Sequence, residues 1–128
     1  MIEYPKDAST PTSNLPFSPC TQVGNLLFVS GQASVDSSGT IVPDTFEGEM
    51  RRSLENLRIV LEGAGSGLKH VVNTRNYVRD PEDLPAFNRL YAEFFSAPYP
   101  ARTTITHCLP DVLRFEIECV AVVPGSNR

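Results

Sequence analysis

Apolar positions along the chain change period several times, and each change marks an element. From Cys20 to Val23 and from Leu26 to Gln32, two short strand-like runs flank Gly24-Asn25, residue types that tolerate the positive φ of a tight turn. This predicts a β-hairpin. A turn at Ser37-Ser38-Gly39 follows, with an optional short strand at Thr40 to Val42. The period then becomes helical: Phe46, Met50, Leu54, Leu57, Leu61 and Ala64 recur at steps of three or four, and Gly65 is a natural stop. Asp44-Thr45-Phe46-Glu47 has the D-x-x-E spacing of a helix start, its last carboxylate able to reach back to a free amide. Val71 to Val78 is rich in β-formers. Asp80-Pro81-Glu82-Asp83 then offers an N-cap, a proline at the first helical position and acidic first-turn residues. A second stripe, Leu84, Phe87, Leu90, Tyr91, Phe94 and Phe95, ends before Pro98 and Pro100.

Two strands close the chain, Arg102 to Leu109 and, after a turn at Pro110-Asp111, Phe115 to Val123. In the last, Phe115, Ile117, Cys119, Ala121 and Val123 alternate with Glu116, Glu118, Val120 and Val122, the period of a sheet with two distinct faces. The order ββ(β)αβαββ predicts an α+β fold, two helices packed on one face of a mixed sheet. The other sheet face then needs a cover, which self-association would supply. Residues 1 to 19, with Pro5, Pro11, Pro16 and Pro19, read as an extended arm, because proline removes backbone donors. At 128 residues, with no long linker and no internal repeat, the expectation is one domain spanning 1 to 128.

Composition narrows the function classes. A hydrophobic fraction of 41% and a charged fraction of 20% belong to a folded globular chain. The net charge of -4, with Arg51-Arg52 the only adjacent basic pair, argues against a nucleic-acid partner, whose phosphates demand clustered cations. No apolar run approaches a membrane span and the N-terminus lacks a signal-peptide layout, so a cytoplasmic location without a membrane partner is expected. Cys20, Cys108 and Cys119 are too widely spaced for a metal site and odd in number, and read as small buried hydrophobes. His70 and His107 show no ligand spacing, His107 pointing opposite to Arg102 on a regular strand, and no metal is expected. Gly24, Gly31 and Gly39 form no phosphate-binding motif.

Two features could carry chemistry. Arg102, in Pro100-Ala101-Arg102-Thr103-Thr104, follows a rigid turn, and a guanidinium orients a carboxylate through two parallel hydrogen bonds. By spacing alone it reads as a surface residue or an ion-pair partner. Glu116 and Glu118, two apart on a strand, share a face; neighbouring carboxylates raise one another's pKa toward the range useful for acid-base catalysis. A solvated sheet face is the bland alternative.

In several blocks the chain resembles the RidA (YjgF/YER) family of enamine and imine deaminases: Pro16-Phe17-Ser18-Pro19, the run from Gly24 to Gln32 (GNLLFVSGQ), Leu54-Glu55-Asn56-Leu57, Phe87-Asn88, Tyr91-Ala92-Glu93-Phe94-Phe95, Pro100-Ala101-Arg102 and Phe115-Glu116-Ile117-Glu118. The resemblance implies a chorismate-mutase-like fold and a homotrimer with ligand clefts between subunits. It implies hydrolysis of 2-enamino or 2-imino acids such as 2-iminobutanoate and 2-iminopropanoate to 2-keto acids and ammonia, with no cofactor. Carried over by motif, Arg102 clamps the substrate carboxylate. Glu116 activates water and relays a proton, while Ser30, Gly31 and Asn88 line the pocket.

The chain departs from the family pattern at three points. Phe17 stands where a tyrosine is common, so a ring is kept and a hydroxyl lost; Leu15 replaces a glycine; and Thr103-Thr104 replace Ser-Cys, leaving Thr104 to hydrogen-bond a water. These leave open a different deaminase substrate such as aminomuconate. The rival readings are a non-catalytic small-carboxylate-binding trimer and a ribonuclease or translation inhibitor, against which the acidic balance stands. If the last two strands pair as a hairpin about residues 111 and 112, Arg102 and Glu116 lie far apart in one subunit, which favours a site shared between subunits.

Overall fold

The computed structural model describes residues 1–125. Among the described residues six strands form one sheet, β1 (Ile2–Glu3), β2 (Cys20–Val23), β3 (Leu26–Ala33), β4 (Val71–Val78), β5 (Ala101–Thr106) and β6 (Phe115–Val122). Their spatial order is β1-β2-β3-β6-β4-β5. Helices α1 (Phe46–Gly63) and α2 (Leu84–Phe94) are the two long helices among the described residues. The fold is the expected α+β one, a mixed sheet carrying both helices on one face.

Alternation creates that layering. In β6, Phe115, Ile117, Cys119 and Ala121 are buried beneath the helices, whereas Glu116, Glu118, Val120 and Val122 face away from them. Met50, Leu54, Leu57 and Leu61 of α1 meet this inner face, fully buried; each contributes about 1.5–3 kcal/mol by leaving water. From α2, Phe87 packs 6.0 Å from the Phe115 ring, which also receives Phe46 edge-on. The outer face keeps apolar groups exposed, among them Leu26 at 40% and Phe28 at 44%, opposite Val122 and Val120.

Several expectations need correction. The last two strands do not form a hairpin: β4 lies between them, antiparallel to β6 and parallel to β5. A parallel pair requires a crossover, and α2 provides it. The chain leaves β5 at Thr106, not Leu109, because His107 takes φ 65°. The following loop wraps the end of β4: Arg79 N–H donates to Arg114 O, His107 N–H to Arg79 O, and the Arg79 guanidinium to Asp111 O. Eight residues, 107 to 114, thus step over one strand, an option that sequence alone does not separate from a wide hairpin.

The helix starts also differ in detail. Thr45, not Asp44, caps α1, accepting from Gly48 N–H at 3.1 Å. The carboxylate that reaches back is buried Glu49, which accepts from Asp44 N–H and Arg114 N–H, while Glu47 pairs with Arg51 and Arg89. Residues Pro81–Asp83 form a single 3-10 turn before α2, and Asp80 binds Arg79 instead of capping. The optional strand reduces to one bridge, Val35 with Ile41. The arm is mostly irregular, but its first residues add β1 to the sheet edge. Gly65, at φ 85°, does end α1.

Candidate functional site

Arg102 stands on the second residue of β5, in register with Thr74 of β4. Thr74 is fully buried under α2, so Arg102 projects from the helix-covered face at the sheet's edge. Its guanidinium carbon lies 4.9 Å from the ring centroids of both Phe87 and Tyr91. Cation-π attraction holds the group there without neutralising it. Every other arginine among the described residues has a carboxylate within 4 Å, whereas Arg102 has none. A charged fork that is held in place but electrically unpaired is ready for an incoming carboxylate.

The cleft around it, about 360 Å³, is lined by Asn88, Tyr91, Ala92, Tyr99, Pro100 and Arg102. Asn88 is exposed on α2 one residue after the stacking ring of Phe87. Thr104, two residues along β5, shares the face of Arg102 and is half-buried. Burial pushes the Tyr91 phenol up from its ordinary value, so this ring stays neutral beside the guanidinium. A larger groove of about 650 Å³, between the ends of α1 and α2, touches the cleft only at Pro100. Its arginine, Arg58, is already held by Glu55 and Glu62.

Glu116 belongs to the opposite face of the sheet. It is the Cα partner of Tyr77, one strand from β5, and of Ala33 in β3. Two strand spacings and three residues of rise separate it from Arg102 by roughly 14 Å, with the sheet between them. Beside it β3 bulges: Val29 pairs with Cys119 but Gln32 with Ile117, leaving one extra residue at Ser30-Gly31. Gly31 lies under the Glu116 carboxylate so closely that an added Cβ would collide with it. That close approach explains a glycine inside a strand.

Burial raises the Glu116 pKa above the ordinary glutamate value, and the nearby Glu118 charge raises it further. Glu118 is otherwise engaged, accepting from the Tyr77 hydroxyl at 2.7 Å and pairing with Arg75 at 3.3 Å. Ser30 joins the arm to this face: its hydroxyl donates to Ser18 O at 2.5 Å and its amide to Pro19 O at 2.9 Å. Phe17, next to Ser18, is 52% exposed.

The predicted residues therefore fall into two groups. Arg102, Asn88 and Thr104 gather at the α2–β5 edge; Phe17, Ser30, Gly31 and Glu116 gather at the bulge on the outer face. One subunit does not bring the groups together. The aromatic platform of Phe87 and Tyr91 and the wall formed by Tyr99 were not singled out from sequence. Its signal was present in two rings at i and i+4 flanking Asn88, a pattern that also serves core packing. Cys20 and Cys119 are buried as expected, but Cys108 is exposed beyond β5. Among the described residues, no group of three His, Cys, Asp or Glu is placed to hold a metal ion, and no helix is long and apolar enough to cross a membrane.

Residues 7–123 match the family model described as Endoribonuclease L-PSP. The chain is similar to the mouse protein named 2-iminobutanoate/2-iminopropanoate deaminase, 36% identical over 109 residues, covering 84% of this chain and 81% of that one. A protein of the same name from Dermatophagoides farinae is 34% identical over 110 residues, 84% of this chain and 86% of the relative. Among solved structures, E. coli TdcF with bound serine superposes with a TM-score of 0.82 at 28% identity, covering 94% of this chain and 98% of that one.

Proposed function

The chain belongs to the Endoribonuclease L-PSP family, the YjgF/RidA proteins, and from that premise we propose that it hydrolyses reactive 2-imino and 2-enamino acids to 2-keto acids and ammonia. The observation that carries this reading is the unpaired Arg102 guanidinium, stacked on Phe87 and Tyr91 in an open cleft. It would clamp the substrate carboxylate, with Asn88 and Thr104 offering polar contacts beside it.

The second group completes the chemistry. Because Glu116 lies behind the sheet from Arg102, the proposal places it in the neighbouring subunit of a homotrimer. The exposed apolar outer face supports that packing. A protonated imine is already electrophilic, so the site must orient it and move protons. Water adds to the imine carbon as Glu116 takes its proton. The same carboxyl returns a proton to the nitrogen; the C–N bond then breaks as the adduct's hydroxyl gives its proton back to the Glu116 carboxylate, so that ammonia leaves and the keto-acid carbonyl forms. A carboxyl whose pKa is raised suits both steps. Phe17, Ser30 and Gly31 shape this half, no cofactor takes part, and the setting is cytoplasmic.

Purified protein should accelerate ammonia and keto-acid release from 2-iminobutanoate or 2-iminopropanoate generated in situ. Arg102→Ala should lose about a hundredfold or more in kcat/KM, as expected when a charge-assisted bidentate contact is removed. Full activity in that variant would sink the mechanism.

The bound serine named for TdcF favours a second reading, a trimer that binds a small carboxylate without turning it over. Saturable keto-acid binding with no imine turnover would select it. The family description also names an endoribonuclease, against which stand the net charge of -4 and the pairing of the other described arginines.

A further inference from the structure

We infer that Thr74, Asn76 and the Tyr91 hydroxyl form a buried positioning relay that sets the direction of the Arg102 guanidinium for its carboxylate ligand. The inference rests on the proposed function only in taking that ligand to be a small carboxylate.

Thr74 and Asn76 are fully buried on β4, and Tyr91 is 3% exposed on α2. Asn76 Nδ2 donates to Thr74 Oγ1 at 3.0 Å and to Thr103 O at 3.2 Å. Thr74 Oγ1 lies 2.8 Å from the Tyr91 hydroxyl. With one lone pair of Thr74 Oγ1 taken by the amide, a proton and a lone pair remain for the phenol. The chain of bonds therefore runs from the ring under Arg102 to the backbone carbonyl of Thr103, the residue that follows Arg102 on β5. One end fixes the platform and the other fixes the strand that carries the guanidinium, with Thr74 directly opposite Arg102 in the ladder.

Two observations separate this from ordinary core filling. Arg102 has no carboxylate partner among the described residues, so the two rings are what orient it. The relay is also incompletely satisfied: Asn76 Oδ1 is buried with no hydrogen-bond partner among the described residues. An apolar trio of similar volume would avoid that cost, so stability alone does not account for the network. Geometry at Arg102 does. Thr74, Asn76 and Tyr91 touch no reacting atom in this scheme and act only through the clamp.

The test uses the full-length protein and two readouts: the KM and kcat for 2-iminobutanoate generated in situ, and the Kd of 2-oxobutanoate by calorimetry. Thr74→Val and Tyr91→Phe keep shape but break the relay, and should each raise KM and Kd on the order of three- to tenfold, with kcat nearly unchanged. Thr74→Ser, which keeps the hydroxyl, should recover the affinity. On an Arg102→Ala background Thr74→Val should have no further effect on Kd. Wild-type Kd in both Thr74→Val and Tyr91→Phe overturns the inference, as does an equal loss with and without Arg102, or a fall in kcat with no change in Kd. Should Thr74→Val fail to fold, the comparison of Tyr91→Phe with Thr74→Ser decides. Binding of 2-oxobutanoate with the expected pattern but no turnover refutes the deaminase reading and leaves the relay standing. Turnover with unaltered Thr74→Val and Tyr91→Phe does the reverse, and absence of both binding and turnover in the wild type refutes both.

Discussion

Glu116 shows how one carboxyl is set by its surroundings. Burial first, and the Glu118 charge second, push its pKa up, so the native state holds the proton more tightly than the unfolded chain. The linkage sign follows: stability is greatest below the ordinary glutamate value and declines as pH rises from there through the raised native value. Glu116→Gln removes this dependence. Its melting temperature should match wild type at a pH below the ordinary glutamate value of about 4.3 and exceed it at neutral pH and above. A variant that melts below wild type at neutral pH would contradict the burial account. The same substitution should lower kcat on the order of 10²- to 10⁴-fold, the usual share of a general acid-base group, with KM little changed. Turnover in the wild type should also fall on the acid side as Glu116 takes up its proton.

At the level of elements, the β3 bulge places Gly31 against that carboxylate. Gly31→Ala forces the flexible end of Glu116 to move while the backbone stays as it is, since the atoms met are side-chain atoms. The expected result is a fall in kcat of at least tenfold with a melting temperature within a few degrees of wild type, read from kinetics and thermal melts together. At the start of α1, Thr45→Ala removes the cap bond to Gly48 N–H. It should cost about 1 kcal/mol in denaturant unfolding and leave kcat unaltered.

Element types were legible in the sequence because period reports burial directly. The α1 and α2 stripes and the alternation in β6 are the same residues that line the core. Element ends were less legible. Asp44 and Thr45 are both cap residues by type, and only the buried position of Glu49 decides which carboxylate reaches back. Phe87 and Tyr91 were visible as an apolar stripe, but core rings and a guanidinium platform have the same spacing.

For the whole molecule, the separation of Arg102 and Glu116 on opposite sheet faces makes a testable demand. If sites form between neighbours, Arg102→Ala and Glu116→Gln proteins, each inactive, should complement one another after mixing and subunit exchange. Random assembly gives about a quarter of the sites both native groups, so activity should return to about that fraction of wild type. No recovery despite confirmed exchange would place both residues in one subunit's site. Outer-face disruption offers a second check: Phe28→Glu should yield folded, smaller species by sedimentation and abolish turnover, because a charge buried without a partner opposes association.

Residue type and side-chain period are enough to select which segments become strands and helices and which side of each is buried, and resemblance supplies which residues are candidates for chemistry. Those properties are local: they follow from side-chain period and residue type within a few turns of chain. That β4 enters between β5 and β6, and with it that Arg102 faces the helices while Glu116 faces outward, emerges only from the folded sheet. Strand neighbours are chosen by long-range contacts and by how the 107 to 114 loop wraps Arg79, and nothing in the period of a strand records what lies beside it.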